Sequence, residues 1–134
     1  MSIETARLRQ LSLFENIGED ALEAMAGIFV VEQLDGDQYV LRQGEEGSKF
    51  YMIESGKVEI SRLQEDGQRV VLAVLKEGDH FGEIALMRKS ARNADVRTVT
   101  PCLLVTITHE NFHELLERQP HIKSKLEKLL AERS

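Results

Sequence analysis

FYMIESGKVEISRLQEDGQRVVLAVL, residues 50–75, alternates short runs of strand-forming side chains with turn residues. Phe50-Tyr51-Met52-Ile53, Val58-Glu59-Ile60 and Val70-Val71-Leu72-Ala73-Val74-Leu75 are aromatic and β-branched segments of strand length. Gly56 separates the first two, and Glu65-Asp66-Gly67 forms the tip of a hairpin between the second and third. The same rhythm continues outward, through Tyr39-Val40-Leu41 on one side and Ala94 to Val99 and Leu103 to Ile107 on the other. Seven of the nine glycines lie between Gly36 and Gly82, which places most of the chain's turns in one block. Short strands without long helices between them make a sandwich or barrel, and an antiparallel jelly roll is the economical form. The sequence therefore predicts a mainly β protein, a jelly roll of the eight-stranded barrel type over 28–108, with flanking helices.

Helical patterns flank this block. Residues 1–27 carry Leu8, Leu11, Leu13 and Phe14, a break at Ile17-Gly18, and then Glu19-Asp20 in the first turn of a second helix. Leu22, Met25 and Ala26 share one face of that helix, and Gly27 fits its C-terminal cap. Residues 109–134 read as two helices. Thr108 is the expected N-cap of the first, whose apolar stripe is Phe112, Leu115 and Leu116. Gln119-Pro120 interrupts it, because the residue before proline avoids helical angles while proline suits a first helical turn. The second carries Ile122, Leu126, Leu129 and Leu130. We expect one domain over 1–134, with the second trailing helix loosely placed and free to act as a hinged lid.

Composition excludes several classes. Hydrophobic residues make up 42% and charged residues 30% of the 134, the balance of a soluble globular protein. No apolar run approaches the roughly 20 residues of a membrane span, and the first residues lack the apolar core of a signal peptide. A cytoplasmic protein without a membrane partner is the expectation. The lone Cys102 excludes an internal disulfide and a cysteine-rich zinc site, and it reads as a buried small hydrophobe. Seventeen basic against twenty-three acidic residues, a net charge of -6, argue against nucleic acid as a partner.

The chemistry concentrates in FGEIALMRKSARNADV, residues 81–96. From Met87 to Thr98, Arg88, Lys89, Arg92 and Arg97 stand against Asp95, a local balance of +3 in an acidic chain. Gly82 allows close backbone approach, and Glu83-Ile84-Ala85-Leu86 starts a short helical turn. Free N–H groups at such a turn bind phosphate, and an arginine completes the clamp. Glu83 suits a hydroxyl partner better than an anion, as a sugar would supply.

These residues resemble the cyclic-nucleotide-binding domain family of protein kinase A regulatory subunits, nucleotide-gated channels and catabolite activator proteins. That family's phosphate-binding cassette reads roughly Phe-Gly-Glu, a short apolar helix, then arginine, a small residue and alanine. Here it is Phe81-Gly82-Glu83-Ile84-Ala85-Leu86 and Arg92-Asn93-Ala94. Arg42-Gln43-Gly44-Glu45-Glu46-Gly47 through Phe50 to Gly56 is similar to the family's turn-and-strand signature. The resemblance implies that Arg92 pairs with a cyclic phosphate, that backbone groups from Gly82 to Ala85 cradle it, and that Glu83 accepts from the ribose 2'-OH. It also implies that Ile60, Ala73 and Leu75 line the apolar side, and strand parity independently puts Ala73 and Leu75 on one face. The implied ligand is cAMP, with cGMP the alternative, and no further cofactor. Two positions depart from the pattern: Asn93 replaces a small residue or a hydroxyl, and Asp95 replaces a common threonine. The missing hydroxyl, which accompanies guanine contacts in the family, favours cAMP.

The expected role is a second-messenger receptor rather than an enzyme, since no nucleophile, metal cluster or water-activating base accompanies the motif. It would act on an effector protein or on a second copy through the terminal helices, with a leucine of the last helix capping the base. Three rivals stay open: a cyclic-dinucleotide receptor, an interaction module of the same fold that ignores nucleotides, and a cupin-like metal enzyme. His109 and His113, four apart, are half of a metal site with no third ligand evident.

Overall fold

Strand-forming runs and glycine turns give eight short strands in the computed structural model, which describes residues 5–11, 14, 17–45, 49–82 and 94–133. Two helices, α1 (Thr5–Arg9) and α2 (Glu19–Ala26), precede them. The strands are β1 (Val30–Leu34), β2 (Tyr39–Leu41), β3 (Lys49–Ser55), β4 (Val58–Leu63), β5 (Arg69–Leu75), β6 (His80–Phe81), β7 (Asp95–Thr98) and β8 (Cys102–Thr108). Two helices follow, α3 (His109–Arg118) and α4 (Pro120–Arg133). One sheet has the order β1-β8-β3-β6 and the other β2-β7-β4-β5, with antiparallel pairing throughout. The chain passes repeatedly from sheet to sheet, which is the jelly roll the sequence predicts. The hairpin at Glu65-Asp66-Gly67 joins β4 to β5, with Gly67 at a φ of 85°.

The first sheet is the middle of three layers. Along β3, Phe50 and Met52 pack with the helices, while Tyr51 and Ile53 face the second sheet. Along β8, Val105 and Ile107 join the helical core, and Cys102 and Leu104 the core between the sheets. Both faces are dry, so the polar alternation of a half-exposed strand disappears from these segments. The helical core gathers Leu8, Leu11, Phe14, Leu22, Met25 and Phe29 from the leading segment and Phe112, Leu115, Leu116 and Ile122 from the trailing one. Phe50 and Phe112 pack with ring centroids 5.0 Å apart, tilted by 34°, and fasten α3 to the sheet.

Helix ends follow their local chemistry. The Thr108 hydroxyl accepts from the Asn111 N–H at 3.2 Å and caps α3, as its position predicts. α3 stops at Gln119, whose φ of -127° and ψ of 77° leave the helical region before proline. Gly27 stands at the C-cap of α2, but in right-handed angles (φ -71°, ψ -15°) that need no glycine. The second trailing helix is less free at its start than the sequence suggests. A single residue, Gln119, links it to α3, so its first turn stays beside that helix and Ile122 is fully buried in the helical core.

Candidate functional site

β6 is only two residues long, and its brevity releases the chain where the motif begins. Phe81 pairs with Tyr51 in register and stacks on its ring at 4.9 Å, nearly parallel. Gly82 follows with a φ of 94°, a left-handed conformation that glycine adopts without strain. The chain comes back at Ala94, which is buried, and enters β7 in the opposite sheet. The motif thus leaves one sheet and re-enters the other. Glu83, Ile84, Ala85, Arg92 and Asn93 lie outside the described residues, whereas Phe81, Gly82, Ala94, Ile60, Ala73 and Leu75 lie within them.

On the second sheet Ile60 stands between Ala73 of β5 and Val96 of β7, and Val58 between Leu75 and Thr98. Register shifts between Ile60 and Ser61, so that Leu72 is the extra residue of a bulge. The bulge leaves Val71 outward and 54% exposed, with Ala73 and Leu75 still on one face. Ile60 and Leu75 pack against the cluster of Tyr51, Ile53, Phe81 and Val96. All three predicted lining residues are half-buried rather than sealed in the core. An apolar, incompletely covered inner face therefore lies next to both ends of the motif.

The electrostatics just beyond the motif centre on Asp95, which is 6% exposed. Its Oδ1 accepts the Gln43 N–H at 2.7 Å, and its Oδ2 accepts from the Arg69 guanidinium. Arg69 also donates to Ser61 Oγ at 3.0 Å. Burial works against the Asp95 charge, but the Gln43 N–H and the Arg69 guanidinium outweigh it and hold the carboxyl below its ordinary range. The hydrogen bond to Asp95 in turn raises the Arg69 pKa. In the sequence Asp95 stands out as the acid among four basic residues and as a departure from a pattern, without its partners. The available signal was a carboxylate between Ala94 and Val96 at the start of a strand segment, a placement that asks for a partner.

Arg97, counted among the local basic residues, is already engaged. It donates to Asp37 and lies 3.6 Å from Glu59, on the outer face of the sheet. Arg88, Lys89 and Arg92, the other basic residues of the stretch, lie outside the described residues. His109 and His113 place their Nε2 atoms 3.0 Å apart, and no group of three metal-ligating side chains occurs among the described residues. Cys102 is buried as expected, its thiol directed at the carbonyls of Lys57 and Thr100. Among those residues no helix is long and apolar enough to cross a membrane.

The family signature described as cyclic nucleotide-binding domain matches residues 31–119, from β1 to the end of α3. The chain belongs to the cyclic nucleotide-binding domain family. A cGMP-dependent protein kinase of Caenorhabditis elegans is 33% identical over 111 residues, covering 81% of this chain and 14% of the kinase. A cAMP-dependent protein kinase regulatory subunit of Yarrowia lipolytica is 31% identical, covering 81% of this chain and 28% of that protein. The catabolite activator protein of Thermus thermophilus superposes with a TM-score of 0.84 at 29% identity, over 90% of this chain and 57% of that one. The chain thus spans a minor part of the curated relatives it matches, and the matched part is a regulatory ligand-binding domain rather than a catalytic one.

Proposed function

We propose that the chain is a receptor for a cyclic purine mononucleotide, cAMP ahead of cGMP, with its site between the motif 81–94 and the inner face of the second sheet. The observation that carries this reading is the placement of the motif's two ends. Phe81-Gly82 departs from one sheet and Ala94 joins the other, beside the half-buried Ile60, Ala73 and Leu75. A cyclic nucleotide needs an apolar surface for its base and a polar clamp for its sugar and phosphate, and an apolar face flanked by both ends of the motif supports a site of that kind. Arg92 takes the phosphate charge, backbone N–H groups from Gly82 to Ala85 accompany it, and Glu83 accepts from the ribose 2'-OH.

Relatives named for cAMP and for cGMP are both similar to this chain, so family membership leaves the base open. Asn93 tips the balance toward adenine, because it lacks the hydroxyl associated with guanine contacts and the residues proposed to line the site are apolar. Output passes through the trailing helices, with α4 beyond Ile122 as the part that responds to ligand.

Calorimetric titration with cAMP, cGMP and a cyclic dinucleotide tests the reading. Tight cAMP binding is expected, and Arg92→Ala should weaken it by about 30-fold to several thousand-fold, the cost of leaving a desolvated charge unpaired. A folded Arg92→Ala protein with unchanged affinity would remove the phosphate assignment. Tenfold tighter cGMP would reverse the base preference, and cyclic-dinucleotide binding alone would replace the ligand class.

A further inference from the structure

We propose that Asp95 is a positioning residue of the nucleotide site: it holds the returning end of the motif to the roll and couples ligand binding to β5 and to the turn after β2. The inference rests on the reading of 81–94 as the ligand-binding segment. Its geometry lies wholly among described residues.

Asp95 is reached from two distant parts of the chain, by Gln43, 52 residues away, and by Arg69, 26 residues away. A carboxylate in so little solvent is costly unless its charge and its lone pairs are both answered, and here they are. A threonine in its place could meet the Gln43 N–H but could not pair with a guanidinium. The departure at position 95 thus goes with Arg69, which also holds Ser61 of β4. Gln43 adjoins Arg42, whose guanidinium lies 3.8 Å from the centre of the Tyr39 ring on β2. One carboxylate therefore ties β7, β5 and the turn after β2 at the point where the motif rejoins the sheet.

Arg92 stands three residues before Asp95, within about 11 Å along even a fully extended chain. A fixed attachment close to a ligand-contacting residue leaves fewer arrangements to be given up on binding, so an anchor lowers the entropic cost. Loss of the anchor should be felt chiefly in nucleotide release. The coupling is reciprocal, so a bound nucleotide should steady Asp95 and, through it, the Gln43 amide.

The test uses the full chain, with cAMP and cGMP as probes, and compares wild type with Asp95→Asn, Arg69→Ala and Arg69→Lys. Arg69 is 40% exposed in its side chain, so its substitution tests the tie without emptying the core. Arg69→Ala should weaken the preferred nucleotide about tenfold, mostly through faster release, on top of a lowered nucleotide-free melting point caused by the unpaired Asp95 carboxylate. Arg69→Lys should restore part of the loss. Hydrogen exchange should show nucleotide slowing the Gln43 amide in wild type and not in Arg69→Ala. If Arg69→Ala and Asp95→Asn bind as tightly as wild type while Gln43 exchange ignores nucleotide, Asp95 is a structural brace and the proposal fails. If wild type itself binds neither nucleotide, the functional reading fails first and takes this inference with it.

Discussion

Two glycines with the same sign of φ separate backbone conformation from crowding. Gly56 has a φ of 100°, and a Cβ there would lie 2.5 Å from the Pro101 carbonyl and 2.6 Å from Cys102 Sγ. Gly67, at 85°, would meet nothing within 4 Å. Gly67→Ala should therefore cost only the conformational strain, about 1 kcal/mol, whereas Gly56→Ala adds a clash with backbone and should cost about 3 kcal/mol or more. Urea unfolding of both variants checks this, and equal losses would mean that the turn at Gly56 relaxes away from Pro101. Asp95 gives the residue scale its pH dependence. Its folded pKa lies below the ordinary 3.8, so it contributes stability above that value, lost as pH falls through the lower folded value. Asp95→Asn should be less stable than wild type at pH 6, with the gap narrowing toward pH 3. A constant gap across that range would show that charge plays no part in the tie.

Elements were legible where local chemistry marked their ends, and illegible where the marks were missing or distant. Gly67 and the Thr108 cap stand in the sequence as they act in the fold. β6, two residues long, is too short for any periodicity to announce it. The bulge at Leu72 hides inside Val70 to Leu75, where every residue is apolar and no alternation reveals a skipped position. α4 is the case with consequences for function. Its pattern suggests a loosely placed helix after the break at Gln119-Pro120, yet Ile122 of its first turn is fully buried. Ending the chain at Gln119 therefore removes a core side chain as well as any lid, and should cost about 2 kcal/mol or more of stability. Ending it after Lys125 keeps Ile122 and isolates the distal helix. The shorter release time of a lost lid should then appear with stability little changed. Dissociation kinetics of bound nucleotide on both truncations decide the matter, and release from the Lys125 truncation at the wild-type rate would exclude a lid.

At the scale of the molecule, the first sheet belongs to two cores, and this fact was only half visible in the sequence. Strand segments and helical stripes could be read separately, but which residues of β3 face the helices and which face the other sheet depends on pairings far along the chain, such as Phe50 with Ile107 and Ile53 with Leu104. The candidate site shows the same limit: its proposed motif is contiguous and stands out in the sequence, while the partners of Asp95 lie dozens of residues away and do not. Sharing a sheet has a thermodynamic consequence. Phe50 and Met52 cannot lose the helices without disturbing Tyr51 and Ile53, which alternate with them on the same strand, so the two cores should melt as one. The chain has no tryptophan and two tyrosines; Tyr51, 7% exposed and stacked on Phe81, reports the inter-sheet core, with Tyr39, 41% exposed, giving a weaker signal. Helical circular dichroism reports the other core. The two thermal transitions should coincide, and a nucleotide at a hundred times its dissociation constant should move both together by about 8 to 12 °C, the equivalent of about 2.7 kcal/mol. A tyrosine transition that shifts with nucleotide while the helical one stays in place would mean that the layers unfold independently. In that case the shared sheet would give no thermodynamic route from the site to the trailing helices.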